Sequence, residues 1–121
     1  MALVYFDSSA LVKLLVDKPG SELAAHLWDG CDASLSSRLA YAEVRAALAV
    51  AGRNRDLDED RLRSAERAWE GFWAAVWPVQ LTAAVETRAG QLTGRHNLGG
   101  SQAIHLASAM AVETDDLVVA V

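Results

Sequence analysis

Two carboxylates, Asp7 and Glu43, are the residues best placed in the sequence to carry chemistry. Asp7 directly follows an apolar run, residues 2–6, and precedes a helical segment. This order predicts that Asp7 lies at the carboxyl edge of a sheet, where ligands bind in open α/β folds. A simple turn or helix-capping aspartate is the alternative interpretation, because aspartate is common at both kinds of position.

Glu43 lies in a helical segment that is apolar nearly all round. It shares one stripe, at steps of four, three and four residues, with three apolar side chains: Leu39, Ala46 and Val50. The spacing predicts that Glu43 is buried, and a buried carboxylate must be paired, protonated or bound to a metal. The alternative is a salt bridge to a distant arginine such as Arg38 or Arg88.

Together, Asp7 and Glu43 indicate a divalent-cation site. Mg²⁺ and Mn²⁺ prefer oxygen ligands, and Mg²⁺ keeps several waters, so few carboxylates suffice. Such an ion activates water and stabilises charge on a phosphate. The net charge of −5 suits an acidic site and argues against broad electrostatic binding to nucleic acid, although a local basic patch remains compatible with it.

The remaining polar and aromatic residues are expected to be structural. His105 lies among small apolar residues and is predicted to be a packing histidine rather than a ligand. His26 and His96 have no partners at zinc-binding spacing. The single cysteine, Cys31, excludes an internal disulfide and favours a cytoplasmic protein. The four tryptophans are expected mostly in the core: Trp28, Trp69, Trp73 and Trp77.

The elements that must position these residues alternate along the chain. The predicted strands cover residues 2–6, 32–36, 79–81 and 117–121. The predicted helices cover residues 10–16, 21–28, 38–51, 59–77, 83–94 and 102–112. Their expected N-caps, apart from the second helix, are Ser8 or Ser9, Ser37, Asp58, Thr82 and Ser101. Strands made of continuous apolar runs, separated by helices, predict an α/β fold with a parallel sheet covered on both faces. We expect no signal peptide and no membrane span, because Asp7 and Lys13 interrupt the first apolar run.

Four segments in order, VYFDSSALVKLL, SSRLAYAEVRAAL, LGGSQAIHLASAM and DDLVVAV, resemble the PIN domain and specifically the VapC toxins of bacterial toxin–antitoxin pairs. The resemblance implies a three-layer α/β/α sandwich with a parallel sheet of four to five strands. It implies an endoribonuclease dependent on Mg²⁺ or Mn²⁺, with Asp7 and Glu43 as metal-binding acids and Ser9 as a supporting hydroxyl. It also implies an RNA substrate, a VapB-like antitoxin partner and a homodimer.

The sequence departs from the family pattern at two places. Gln102 occupies the position of a family aspartate, and Gly99-Gly100 precedes it where arginine-glycine is usual. A further family acid follows the last strand, whereas the sequence ends at Val121, so we expect one PIN-like domain over residues 1–121 that lacks the C-terminal end. With fewer acids, weak or absent nuclease activity is predicted.

Two other functions are alternatives to the ribonuclease. One is a catalytically inactive module that still binds an antitoxin and dimerises. The other is a phosphoacceptor aspartate, but a haloacid-dehalogenase-type phosphatase needs a second aspartate where Ser9 stands. A receiver domain needs an acidic pair on the first loop and a lysine after the last strand, and neither is present.

Overall fold

Strands and helices alternate through the computed structural model, which describes residues 2–121. The strands are β1 (Leu3–Phe6), β2 (Ala33–Ser37), β3 (Trp77–Val79) and β4 (Leu117–Ala120). The helices are α1 (Ser8–Val12), α2 (Ser21–Gly30), α3 (Ala40–Arg53), α4 (Glu59–Ala75), α5 (Ala83–Arg95) and α6 (Gly100–Ala111). Within residues 2–121, none of these helices combines the length and apolar character that crossing a bilayer requires.

The four strands form one parallel sheet in the order β3-β2-β1-β4, which confirms the predicted sheet. β1 is an inner strand, and Tyr5 at its centre pairs with Leu35 on one side and Val119 on the other. β3 begins two residues earlier than predicted and includes Pro78. Proline is tolerated there because β3 is an edge strand, where a missing N–H need not break a ladder.

Helices cover both faces of the sheet, as in the predicted three-layer sandwich. Successive side chains of a strand point to opposite faces. Val4 and Phe6 belong to a core cluster that also contains residues of α1, α3 and α4. Tyr5 points the other way and contacts α6, which packs with α5 through a second cluster. The central strand is therefore buried on both sides, which explains its continuous apolar sequence.

Helix starts differ from the prediction where the capping residue was misassigned. α1 is capped by Asp7, whose Oδ1 accepts a hydrogen bond from the Ala10 N–H at 2.9 Å, and not by a serine. α6 starts at Gly100 rather than after Ser101. Several polar residues lie together at each start, so the sequence alone does not choose between them. The predicted caps Asp58 and Thr82 are confirmed.

The predicted buried stripe of α3 is wrong. The buried residues of this helix are Ala40, Val44 and Leu48, at steps of four. Val50 is 44% exposed, and Glu43 lies at the edge of the buried face. A helix that is apolar nearly all round offers several plausible faces, and contacts with α1 and α4 select one of them.

This correction can be tested by stability measurements on α3. Leu48 is 1% exposed, so Leu48→Ala is expected to lower the free energy of unfolding by about 2–5 kcal/mol through lost burial and a residual cavity. Val50→Ala on the same helix is expected to change it by less than about 0.5 kcal/mol, as is usual at the surface. Urea denaturation of both variants measures the difference. Equal losses of unfolding free energy would mean that Val50 is as buried as Leu48, as the sequence predicted.

The tryptophans divide between core and surface. Trp69 is fully buried and lies beside Trp73 and Tyr41, as expected for a core residue. Trp28 and Trp73 pack against the same core cluster, and Trp77, 70% exposed on the edge strand β3, is the exception to the mostly buried placement that was predicted. Cys31 is partly buried against the first core cluster, in agreement with its expected packing role.

Candidate active site

Asp7 stands where β1 passes into α1, at the carboxyl edge of the sheet. Its backbone N–H donates to the Ala120 carbonyl at 3.0 Å, which extends the β1–β4 ladder by one residue. Its Oδ1 caps α1, while Oδ2 has no hydrogen-bond partner among residues 2–121. Asp7 is thus a capping aspartate and also borders a cavity of about 580 Å³. The two interpretations of this residue are compatible, because capping uses only one carboxylate oxygen.

Glu43 reaches the same cavity from the first turn of α3. Its Oε1 accepts hydrogen bonds from the Ser8 hydroxyl and from Nε2 of His105, the latter at 2.7 Å. Its side chain is 27% exposed, and Oε2 has no hydrogen-bond partner within the described part of the chain. The expected alternative partners, Arg38 and Arg88, are not used. Glu43 is paired with a histidine and a serine that the sequence pattern did not connect to it.

His105 lies on α6 at the boundary between the core and the cavity. It is 8% exposed, and its Nδ1 lies 2.8 Å from the Tyr5 hydroxyl. The two rings meet edge to face, with centroids 5.9 Å apart. Burial raises the pKa of the Tyr5 phenol well above its usual value, so the hydroxyl stays protonated.

The burial of His105 and its full set of hydrogen bonds agree with the prediction, and its partners add a feature that was not predicted. One of these partners is the site carboxylate Glu43. The sequence carried a signal for the other contact of His105, the one with Tyr5. Tyr5 lies in the middle of a buried strand, and a buried phenol requires a hydrogen-bond partner from another element.

Ser9 and Gln102 also border the cavity. Gln102 lies in the first turn of α6, and its Oε1 accepts a hydrogen bond from the Gly99 N–H at 3.0 Å. The amide therefore faces the same space as the two carboxylates while it helps to cap its own helix. The Ser9 hydroxyl makes no hydrogen bond to Asp7 among residues 2–121, whereas the neighbouring Ser8 hydroxyl binds Glu43.

Lys13 is the single lysine or arginine that lines this cavity within residues 2–121. Its Nζ donates to the Val121 carbonyl at 2.9 Å, which holds the ammonium beside β4. An ammonium has three donors, so others remain for an anion. The cavity therefore combines two carboxylates, Asp7 and Glu43, with the ammonium group of Lys13.

The donor set suits a hard divalent cation. Asp7 and Glu43 each keep one oxygen outside the hydrogen bonds described above, and the hydroxyl and amide groups nearby also present oxygens. Within residues 2–121, no group of three His, Cys, Asp or Glu side chains is arranged to hold a metal ion. Two carboxylates still fit Mg²⁺, which is commonly bound by one or two of them together with waters and substrate phosphates.

A comparison with known families identifies the fold. The PIN domain profile matches residues 4–118, which is nearly the whole chain. The chain belongs to the PIN-domain family. Among PIN-domain proteins, it is 65% identical over 121 residues to two Mycobacterium tuberculosis proteins, ribonuclease VapC45 of strain CDC 1551 / Oshkosh and ribonuclease VapC49 of strain ATCC 25618 / H37Rv. The alignments cover 100% of this chain and 84% of each relative, so the chain is a member of the VapC group.

A solved structure has the same PIN architecture. The crystal structure of Mycobacterium tuberculosis VapC20, described as a sarcin–ricin loop cleaving toxin, superposes with a TM-score of 0.66. The match covers 90% of this chain and 82% of VapC20 at 18% sequence identity, so it supports the fold. PIN-domain ribonucleases generally depend on a divalent metal ion, in agreement with the donor set around Asp7 and Glu43.

Proposed function

We propose that this protein is a VapC-type toxin, an endoribonuclease that uses Mg²⁺ or Mn²⁺ bound by Asp7 and Glu43. The observation that carries the proposal is that both carboxylates border one cavity at the carboxyl edge of a PIN-domain sheet. The identity of 65% to two ribonucleases, over the whole of this chain and 84% of each relative, supports RNA as the substrate. A VapB-like antitoxin as partner and a homodimer are part of the same proposal, since VapC toxins pair with VapB antitoxins.

Five of the residues that line the cavity share three roles in the proposed reaction. Asp7 and Glu43 hold the cation, and Ser8 and His105 hold Oε1 of Glu43. When bound, the cation supplies an activated water and stabilises charge on the phosphate. Lys13 binds a phosphate of the RNA backbone, because it brings positive charge to an otherwise acidic cavity.

The proposal is tested by incubating the purified protein with RNA in Mg²⁺, in Mn²⁺ and in EDTA. Cleavage in either metal, no cleavage in EDTA, and no cleavage by Glu43→Gln support it. The glutamine keeps an oxygen for the Ser8 and His105 bonds but removes the charge. Cleavage that survives both EDTA and Glu43→Gln contradicts it.

A second candidate is a binding module that retains the antitoxin partner but does not cut RNA. The observation that favours it is Gln102, a neutral amide that is already engaged with the Gly99 N–H. A neutral amide is a weaker ligand than a carboxylate for a hard cation. Formation of a complex with the antitoxin, without cleavage in either metal, supports this module over the enzyme.

The role of Lys13 gives a separate prediction. Lys13→Gln is expected to raise KM for RNA with little change in kcat, and to reduce the slope of log affinity against log salt by about 1. Kinetics over a range of salt concentrations measure both effects. Arg63→Gln is the matched control, because Arg63 is an exposed cation on α4 that pairs with Glu59 and Asp60. An unchanged salt slope in Lys13→Gln excludes the phosphate contact.

A further inference from the structure

A continuous set of hydrogen bonds connects the centre of the sheet to the site carboxylate. It runs from the Tyr5 hydroxyl to His105 Nδ1 at 2.8 Å, and from His105 Nε2 to Glu43 Oε1 at 2.7 Å. We call these three residues the Tyr5–His105–Glu43 network. Its inner end is fully buried and its outer end borders the cavity, so it joins the core to the site.

The direction of the donors follows from the chemistry of the three groups. The Glu43 carboxylate can only accept, so Nε2 of a neutral imidazole carries the proton, and Nδ1 accepts the hydrogen bond from the Tyr5 hydroxyl. Nε2–H then donates to the carboxylate, while the Ser8 hydroxyl donates to the same oxygen. By donating to Nδ1, the hydroxyl of Tyr5 stabilises the same tautomer from the other side of the ring and fixes the orientation of the imidazole, much as partners of metal-binding histidines do.

The consequence for Glu43 is a fixed side chain. A free glutamate side chain loses rotamer entropy when it is immobilised. The two hydrogen bonds to Oε1 immobilise the Glu43 side chain before any ligand binds. Its other oxygen, Oε2, has no hydrogen-bond partner among the described residues. Preorganisation of this kind raises affinity because less ordering accompanies binding.

We propose that Tyr5 and His105 are positioning residues, which hold Glu43 in the orientation that binds the divalent cation. This inference rests on the proposed function. His105 lies on α6, which carries neither proposed metal ligand. The orientation of Glu43 therefore depends on how α6 packs against the sheet. A histidine that only filled space would not need the site carboxylate as a partner.

Mn²⁺ titration of variants by isothermal calorimetry tests the proposal independently of RNA cleavage. His105→Leu fills similar space without a donor and is expected to weaken Mn²⁺ binding by about 10–100-fold. Tyr5→Phe removes only the hydroxyl and is expected to weaken it less. His105→Gln is expected to recover part of the loss, because its amide N–H can donate to Glu43. Wild-type affinity in both His105→Leu and Tyr5→Phe overturns the proposal.

A stability control separates positioning from packing. Leu92→Ala truncates a buried side chain in the cluster between α5 and α6, and is expected to lower stability without changing Mn²⁺ affinity. An equal loss of Mn²⁺ affinity in Leu92→Ala would mean that the network acts only through packing, which overturns the proposal.

The ¹⁵N chemical shifts of the His105 ring give a readout that needs no metal. We expect the Nε2–H tautomer in the wild type and a shifted Nδ1 resonance in Tyr5→Phe, because Nδ1 loses its hydrogen-bond donor. If the wild type bound no Mn²⁺, the proposed metal-dependent function would fail, while these shifts would still decide the network. Identical shifts in wild type and Tyr5→Phe overturn the network, whereas a changed Nδ1 shift supports it.

Discussion

Asp7→Asn is expected to abolish RNA cleavage while leaving the fold intact. Only Oδ1 of Asp7 caps α1, through the Ala10 N–H, and the asparagine side chain provides an equivalent oxygen. The substitution therefore removes the charge and keeps the cap. Loss of one of two carboxylates from a divalent-cation site should lower the cleavage rate by at least about 100-fold, beyond the 10–100-fold typical of supporting residues.

Comparison with Asp7→Ala separates the two roles of this residue. Asp7→Ala should lose cleavage and also about 0.5–2 kcal/mol of stability, because the cap is removed. Asp58→Asn is a matched control, since Asp58 caps α4 through the Arg61 N–H and is not among the described residues that line the cavity. Cleavage rates and thermal denaturation measure both effects. Cleavage retained in Asp7→Asn would show that Asp7 serves only as a cap.

Gln102→Asp is expected to raise the affinity for Mg²⁺ by at least about tenfold, which corresponds to about 1.4 kcal/mol. Gln102 borders the same cavity as Asp7 and Glu43, so a carboxylate here would add a third negative ligand. Its position in the first turn of α6 also favours an acid, because the helix dipole is positive there. The substitution removes the hydrogen bond that Gln102 Oε1 accepts from the Gly99 N–H. We expect this loss to affect Mg²⁺ affinity less than the added negative charge does.

Calorimetric titration with Mg²⁺ measures this gain. Gln102→Asn is the control, because it shortens the side chain by the same methylene group without adding charge. We expect the asparagine variant to bind Mg²⁺ no better than the wild type. Equal affinities for Gln102→Asp and the wild type would show that position 102 does not reach the cation.

The sequence predicted the larger features of the fold because they depend on local patterns. The apolar run that became β1 is continuous, which is typical of an inner strand of a parallel sheet. The run that became β4 was also correctly predicted as a strand, although β4 is an edge strand on which Val118 and Val119 are about half-exposed. The caps Asp58 and Thr82 were identified because each is followed by an unambiguous helical segment. Predictions failed where several residues competed for one role, as at the starts of α1 and α6, and where α3 offered more than one apolar face.

The division between local and tertiary information is clearest at the site. Asp7 follows a buried strand in the sequence, and that order alone puts it at the carboxyl edge of the sheet. Glu43 was identified as a partner through its helix, although the buried stripe used to argue for it is not the one that forms. The contacts of Glu43 with Ser8 and His105 span 35 and 62 residues of sequence, and that of Tyr5 with His105 spans 100. Periodicity and capping signals act over a few residues, so only the packing of α6 against the sheet could reveal which side chain holds Glu43 in place.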